Sequence, residues 1–356
     1  MRFVPQQILC TPFQPTAISG RMAQMQNTPQ PDPNAADDAR LAAARAWACA
    51  YLRLPLVRPT AISGDASFRR YFRVQTPQRS LILMDAPPGP EDLRPFVDIA
   101  RRLREAGLHA PQVLHYSLPL GFALLEDLGD RLYRDVLDRH TVDTLFPGLL
   151  KCLVQMARAV DHDGLPPYDD ARLQGELDLF TDWYLLHHRN YPLSAAQSCA
   201  WRNGCEILKR TAQEQPKVFV HRDFHSCNLL YRDGRQPGVI DFQDAVCGPL
   251  SYDFVSLVWD RYIRWPRQQL EQWMESFRQQ AGLDIDAHTW QRWCDLMGLQ
   301  RNLKIVGIFT RLHYRDHKPA YLAMIPHFYA YLLDVASRYR ELSMLNDLLR
   351  EPRCAP

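Results

Sequence analysis

Read along the chain, apolar and polar positions change rhythm several times, and each rhythm predicts a different element. From Asp37 to Leu52 the stretch DDARLAAARAWACAYL sets an alanine-rich apolar face behind two aspartates, the pattern of a helix with acid at its N-terminal end. Three short runs follow, PTAIS, FRRYFRVQT and LILMDAP, which predict strands, with GDAS and PQRS as the turns between them. Helical spacing returns in EDLRPFVDIARRLREAG, where Leu93, Phe96, Val97, Ala100 and Leu103 share a face and Gly107 marks the stop. VLHYSLP and GFALLEDLG then predict two more strands, and five strands with one inserted helix make a small α+β lobe. After Gly129 the pattern is almost wholly helical, broken only by KVFVHRDF and GVIDF, which LLYRDG joins. The expected hinge is LLEDLG, residues 124–129, where sheet gives way to helix.

The ends lack this order. Residues 1–36 are rich in Pro, Gln and Asn without periodicity, and read as a disordered tail. PTAISG occurs twice, at 15–20 and 59–64, but only the second copy runs on into a strand pattern. The expected organisation is therefore a tail at 1–36, a first lobe at 37–128, a second lobe at 129–345 and a short tail at 346–356. A length of 356 residues is more than one core usually fills, which agrees with two lobes.

Composition narrows the partners. With 46% hydrophobic and 23% charged residues the chain reads as an ordinary globular protein, and a net charge of +2 argues for neither nucleic acid nor an anionic membrane surface. Nine scattered cysteines without a CxxC or zinc-like spacing read as reduced thiols, so a cytoplasmic location is expected. No stretch of about 18 apolar residues offers a membrane span, and the opening MRFVPQQILCTPFQP lacks the apolar core of a signal peptide. A monomer is expected.

The candidate chemistry lies at the end of an apolar run. His221-Arg222-Asp223-Phe224-His225-Ser226-Cys227-Asn228 has the form H-x-D-x-x-x-x-N, and Asp241 follows thirteen residues after Asn228, again at the end of an apolar run. Phosphoryl transfer needs this set: one carboxylate to orient and deprotonate the attacking hydroxyl, and hard oxygen ligands to hold Mg²⁺ on nucleotide phosphates. Either half alone is most often a structural turn. Their conjunction, with a hairpin between, points to a kinase.

HRDFHSCNLL followed by VIDFQDAVCGPLSYD closely resembles the catalytic segment of the aminoglycoside phosphotransferases and related small-molecule kinases, and residues 37–340 fit that family. The resemblance implies a protein-kinase-like fold of two lobes: a small antiparallel-sheet lobe that binds nucleotide and a larger, mainly helical one that binds the acceptor. It implies ATP and Mg²⁺, with Asp223 as catalytic base and Asn228 and Asp241 as magnesium ligands. Asp253 matches an aspartate expected to brace the catalytic loop, although an acid at a helix N-terminus is an equal reading. His221 is expected to orient the loop. His225 reads as a surface or packing histidine rather than a catalyst.

Two departures touch the nucleotide side. The stretch Ser63–Arg73, where this fold covers the phosphates, has a single glycine, so Gly64, the Ser67 hydroxyl and backbone N–H groups must serve there. The third strand, Leu81–Asp85, has no lysine for the phosphates, which leaves an arginine, Arg69, Arg70 or Arg73, or else metal and backbone alone. At the hinge, Glu126 to Leu128 should offer backbone groups to adenine.

On the acceptor side GELDLFTDWYLLHHRN and LQRNLKIVGIFTRLHYR predict helices. Glu176, Asp182 and Trp183 could hydrogen-bond to and stack on a sugar, while Leu179, Phe180 and Leu186 read as core. Arg301, Lys304, Ile308 and Arg311 form a stripe, which is either a solvated face or a site where Arg301 meets an acidic group. GDASFRRYFRV, LILMDAPP and these two helices resemble the sugar-1-kinases of bacterial cell-wall recycling. That resemblance implies an amino sugar acceptor, N-acetylmuramate or N-acetylglucosamine, phosphorylated at its anomeric hydroxyl. The acid-rich stretch Asp161–Asp182 would instead suit a cationic aminoglycoside, choline- and homoserine-type kinases share the motif, and the missing lysine would suit a nucleotide-binding pseudokinase scaffold.

Overall fold

The computed structural model describes residues 39–62, 68–351 and 354. The expected N-terminal tail, together with Gly64 and Ser67, lies outside these residues.

The first lobe comprises helix α1 (Ala39–Leu52), strands β1 (Pro59–Ile62), β2 (Arg70–Gln75) and β3 (Ser80–Asp85), helix α2 (Leu93–Glu105), and strands β4 (Val113–Ser117) and β5 (Phe122–Glu126). The strands form an antiparallel sheet in the order β1-β2-β3-β5-β4. Alternation along each strand gives the sheet two different faces. Phe72, Val74, Leu83, Phe122 and Leu124 are buried against α1, where the small Ala44 and Ala48 allow close approach. Met84, Ala123 and Leu125 belong to the main core with Phe96, Ile99 and Leu103 of α2. Asp92 starts α2 by accepting the Arg94 N–H at 3.0 Å, and Gly107, with φ of 79°, follows its end.

The second lobe is mainly helical: α3 (Val142–Ala159), α4 (Asp170–Leu179) continued by a π-helical segment Phe180–His188, α5 (Ala195–Gln213), α6 (Ser251–Val258), α7 (Arg267–Gln280), α8 (Ala287–Tyr314), α9 (Ile325–Ala336) and α10 (Ser343–Arg350). Between α5 and α6 run β6 (Lys217–Val220), β7 (Leu229–Leu230), β8 (Gly238–Val239) and β9 (Val246–Pro249). The expected hairpin is β7 with β8. The partner of β6, however, is β9, a strand of sequence VCGP that its Gly and Pro conceal. Among the described residues no helix is long and apolar enough to cross a membrane.

Helix α8 is the spine of this lobe. It runs in the same direction as α4 and its π-helical continuation: Glu176 meets Lys304 at 2.8 Å, and His188 meets Tyr314 at 2.9 Å. Two glycines let neighbours in. A Cβ on Gly298 would fall 1.9 Å from the Trp259 ring, and one on Gly307 would fall 2.4 Å from the Leu179 carbonyl.

Two expectations need correction here. The boundary at 345 falls inside α10, whose Leu345, Leu348 and Leu349 are buried, so residues 346–350 belong to a helix packed on the core rather than to a tail. Leu186, expected inside, is 55% exposed. The wide π turn rotates each residue by less than the about 100° of an α-helix, so a phase read from α-helical spacing goes astray beyond Phe180.

Candidate active site

The ladder of β6 with β9 and the β7–β8 hairpin bring the two motif segments together. Both turn through backbone that favours glycine: φ is 76° at Arg222 and 65° at Asp241. A residue with a side chain adopts this conformation only when its surroundings enforce it. The Asp253 carboxylate, in the first turn of α6, accepts the N–H of His221 at 2.6 Å and of Arg222 at 3.0 Å. His221 is fully buried: its Nε2 lies 3.0 Å from the Ile240 carbonyl, and its Nδ1 accepts the Asp223 N–H at 3.3 Å. That pairing selects the neutral tautomer, and burial holds the ring's pKa below its ordinary value. Burial also raises the Asp253 carboxyl to about 7, against the opposing pull of the two N–H groups.

The side chains of Asp223 and Asp241 are exposed on one side of this loop, with Asn228 between them. Asn228 Nδ2 donates to the Asp223 carbonyl at 3.1 Å and to Asp241 Oδ2 at 3.3 Å. Gln243 holds the other Asp241 oxygen at 2.9 Å. The amide oxygen of Asn228 and the carboxylate of Asp241 are thus neighbouring hard donors. Among the described residues no group of three His, Cys, Asp or Glu could hold a metal alone. This donor set fits Mg²⁺ shared with phosphate oxygens, since that ion commonly takes one or two protein oxygens. Next to Asp241, the Phe242 ring lies 4.9 Å from Phe96 of α2, which ties the loop to the first lobe.

Glu176 corrects an expectation. It is 7% exposed and faces inward: Arg222 Nη2 and Lys304 Nζ each lie 2.8 Å from its Oε1, and the Tyr168 hydroxyl and Gln300 also donate to it. Burial alone would raise its pKa, but Lys304 and Arg222 lower it. It is the anchor of two cations rather than an open sugar contact. Asp223 follows the same balance: the protein packed around its exposed face opposes its charge, while the Lys304 and Arg301 cations pull its pKa down. Arg301, buried on α8, is near enough for its charge to act on Asp223, and Lys304, Arg222 and His225 were not singled out as site residues. Trp183 sits apart, its ring edge-on to His187 at 5.4 Å, and no described contact joins it to Asp223. The acid-rich stretch is engaged elsewhere: Asp161 with Arg102, Asp169 capping α4, Asp178 with Gln174.

On the first lobe the three arginines separate. Arg69 Nε donates to Glu91 at 2.9 Å, a pair whose side chains are only 11% and 12% exposed. Glu91 stands just before α2, and Tyr71, beside Arg69, feels the charges of Arg69 and Asp241. Met84 pairs across from Tyr71 and is fully buried. Arg70, expected among the nucleotide ligands, lies on the opposite face. It and Arg40 of α1 both donate to the buried Asp85. Arg73 is held by Asp127 at 2.7 Å and by Asp130 at 3.1 Å. The Glu126 carboxylate turns toward Arg104 and His109, each 3.2 Å away, and its N–H donates to the Gln112 carbonyl at 2.9 Å. Leu128 is buried against Gly238. A cavity of about 540 Å³ lies outside the hinge, lined by Arg73, Ser80, Asp127 and Asp130, away from the Asp223 loop.

Comparison with known proteins places this arrangement. The model of the APH phosphotransferase enzyme family matches residues 58–294. The chain is 44% identical to the N-acetylmuramate/N-acetylglucosamine kinase of Pseudomonas aeruginosa over 292 residues, covering 81% of this chain and 86% of that one. The kinase of the same name from Neisseria meningitidis is 38% identical, covering 82% and 90%. Among solved structures, a choline/ethanolamine kinase family protein from Mesorhizobium loti aligns with a TM-score of 0.58 at 17% identity, covering 86% of this chain and 99% of that one. An ADP-bound aminoglycoside phosphotransferase aligns at 0.55 and 14%, covering 79% and 95%. These structural likenesses share the bilobal, protein-kinase-like fold.

Proposed function

The chain belongs to the APH phosphotransferase enzyme family, and from that premise we propose that it transfers the γ-phosphoryl group of ATP to the anomeric hydroxyl of N-acetylmuramate, N-acetylglucosamine or both. The observation that carries the reading is the convergence of Asp223, Asn228 and Asp241 on a loop braced by Asp253. The high identity to kinases named for these sugars supports the choice of acceptor.

Asp223 orients the acceptor hydroxyl and takes its proton as the oxygen attacks phosphorus and ADP leaves. An anomeric hydroxyl is more acidic than an ordinary sugar alcohol, so a carboxylate base can serve it. Asn228 and Asp241 would hold Mg²⁺, which supplies charge neutralisation on the phosphates. Arg69, set by Glu91, brings to the phosphates the positive charge that the third strand lacks, and Lys304 and Arg301 keep the Asp223 carboxylate ionised. Toward the adenine edge Glu126 offers its backbone carbonyl, its N–H being donated to Gln112, and Leu128 its backbone groups.

The test is phosphorus NMR of the product formed from ATP and each sugar. A sugar 1-phosphate is expected, and Asp223→Asn should keep the fold and bind ADP while turnover falls by roughly 10²-fold or more. Phosphate on O6, or a variant as fast as the parent, would reject the assignment.

A further inference from the structure

Two carboxylates, one near each end of α6, brace opposite halves of the catalytic loop. Asp253, in the first turn, takes the N–H groups of His221 and Arg222. Asp260 follows the end of the helix, about two helical turns further on. It is 3% exposed, and its Oδ2 accepts the Ser226 hydroxyl at 2.8 Å. Its Oδ1 accepts the N–H of Tyr262 at 2.7 Å and of Ile263 at 3.0 Å. Those two bonds already fold the segment after α6 on itself, as aspartate does in turns. The second oxygen serves the loop instead.

What Asp260 holds is the turn that presents Asn228. The Asn228 N–H donates to the His225 carbonyl at 2.8 Å, so Ser226 and Cys227 are the central residues of a β-turn. The segment after α6 grips both: Asp260 takes Ser226, and the Tyr262 hydroxyl lies 3.5 Å from Cys227 Sγ. From the other side the Arg134 N–H donates to the Ser226 carbonyl at 3.1 Å. The segment is itself anchored on α9, where His327 Nε2 lies 2.9 Å from the Asp260 carbonyl. Ser226 is 2% exposed, so parting it from Asp260 leaves a buried carboxylate oxygen unanswered, and that cost keeps the turn in one place.

We infer that Asp260 is a positioning residue for the metal side of the site: through Ser226 it sets where the Asn228 side chain stands beside Asp241, while Asp253 sets the half that carries Asp223. This rests on the reading of Asn228 and Asp241 as magnesium ligands. The test variant is Ser226→Ala, which leaves the bonds of Asp260 to Tyr262 and Ile263 in place. ADP binding would be measured by calorimetry with saturating Mg²⁺ and with EDTA, beside turnover as a function of Mg²⁺. Ser226→Ala should reduce the gain in ADP affinity that Mg²⁺ brings, and raise the Mg²⁺ needed for half-maximal turnover, by about tenfold, the usual effect of removing a group behind a metal ligand. ADP binding in EDTA and the KM for the sugar should match the parent. Asp260→Asn keeps both contacts, with the Ser226 hydroxyl now accepting, and should fall between the two. Adding it to Ser226→Ala should cost nothing more in Mg²⁺ dependence, because the two residues act through one contact. A lower melting temperature with unchanged Mg²⁺ dependence would make the pair a purely structural one and overturn the inference, as would an equal loss of ADP affinity with and without the metal. If the parent phosphorylates neither sugar yet binds ADP more tightly with Mg²⁺, and Ser226→Ala removes that gain, the positioning role stands while the acceptor assignment falls. ADP binding by the parent that ignores Mg²⁺ removes the metal reading and this inference together.

Discussion

At Asp253, burial and two backbone hydrogen bonds pull in opposite directions, and burial prevails. With a folded pKa of about 7 against about 3.9 unfolded, the native state keeps a proton that the unfolded chain releases between those values. This residue's contribution to stability therefore falls as pH rises from about 4 to about 7, and is flat outside that window. At about 1.4 kcal/mol per pH unit the full effect is a few kcal/mol. Thermal melts at pH 4.5 and 7.5 should show the parent losing more stability than Asp253→Asn, and parallel shifts would contradict the assignment. Arginines 69 and 70 give a sharper contrast. Arg69→Ala should raise the KM for ATP about tenfold, with Arg69→Lys milder, as expected for one lost charged hydrogen bond. Arg70→Ala should leave that KM alone and lower the melting temperature, because Asp85 loses one of its two cations. Asp223, Asn228 and Asp241 were legible because they sit on one short stretch of chain whose spacing is the signal. Arg70 and Glu176 were not, since which face an arginine occupies depends on strand register, and an acid on a helix does not reveal whether cations from Arg222 and α8 claim it.

Among the elements, the pair formed by α4 and α8 decides where Lys304 stands. Their axes approach closely at Gly307, so Gly307→Ala must push α8 off α4 despite alanine's better helix propensity. A loss of about 1–3 kcal/mol is expected from overpacking. The displacement should also weaken the contact of Lys304 with Glu176, lowering kcat. A variant as stable as the parent on thermal melting would show that the helices can separate freely. Hydrophobic spacing revealed the five strands of the first lobe and the long helices of the second, because each has a buried face with a regular period. It missed β9, which pairs through VCGP without any apolar alternation. It also misplaced the side chains after Phe180, because a π turn leaves no mark in composition.

The two lobes share one continuous core, and their defined contacts include Phe96 on Phe242, the Val239 N–H on the His109 carbonyl at 2.9 Å, and Arg232 on the His109 ring. Helix α2 thereby connects the Arg69–Glu91 pair to the segment that bears Asp241, so the proposed nucleotide and metal sites share one element. That whole-molecule link was not readable from the sequence, since its members are more than a hundred residues apart.

Asp241 has one more consequence, and it concerns how such a molecule divides its resources between lasting and acting. Its left-handed backbone disfavours any side chain, so glycine at 241 should relax the turn and raise stability by about 1 kcal/mol. The same change removes the carboxylate on which turnover is proposed to depend. Asp241→Gly is accordingly expected to melt higher than the parent and to show no magnesium-dependent turnover, and a lower melting temperature would mean that the turn carries no strain. Selection for robustness alone would drive this position toward glycine. A carboxylate there is the mark of a chain kept for what it does, at some expense to how well it holds together.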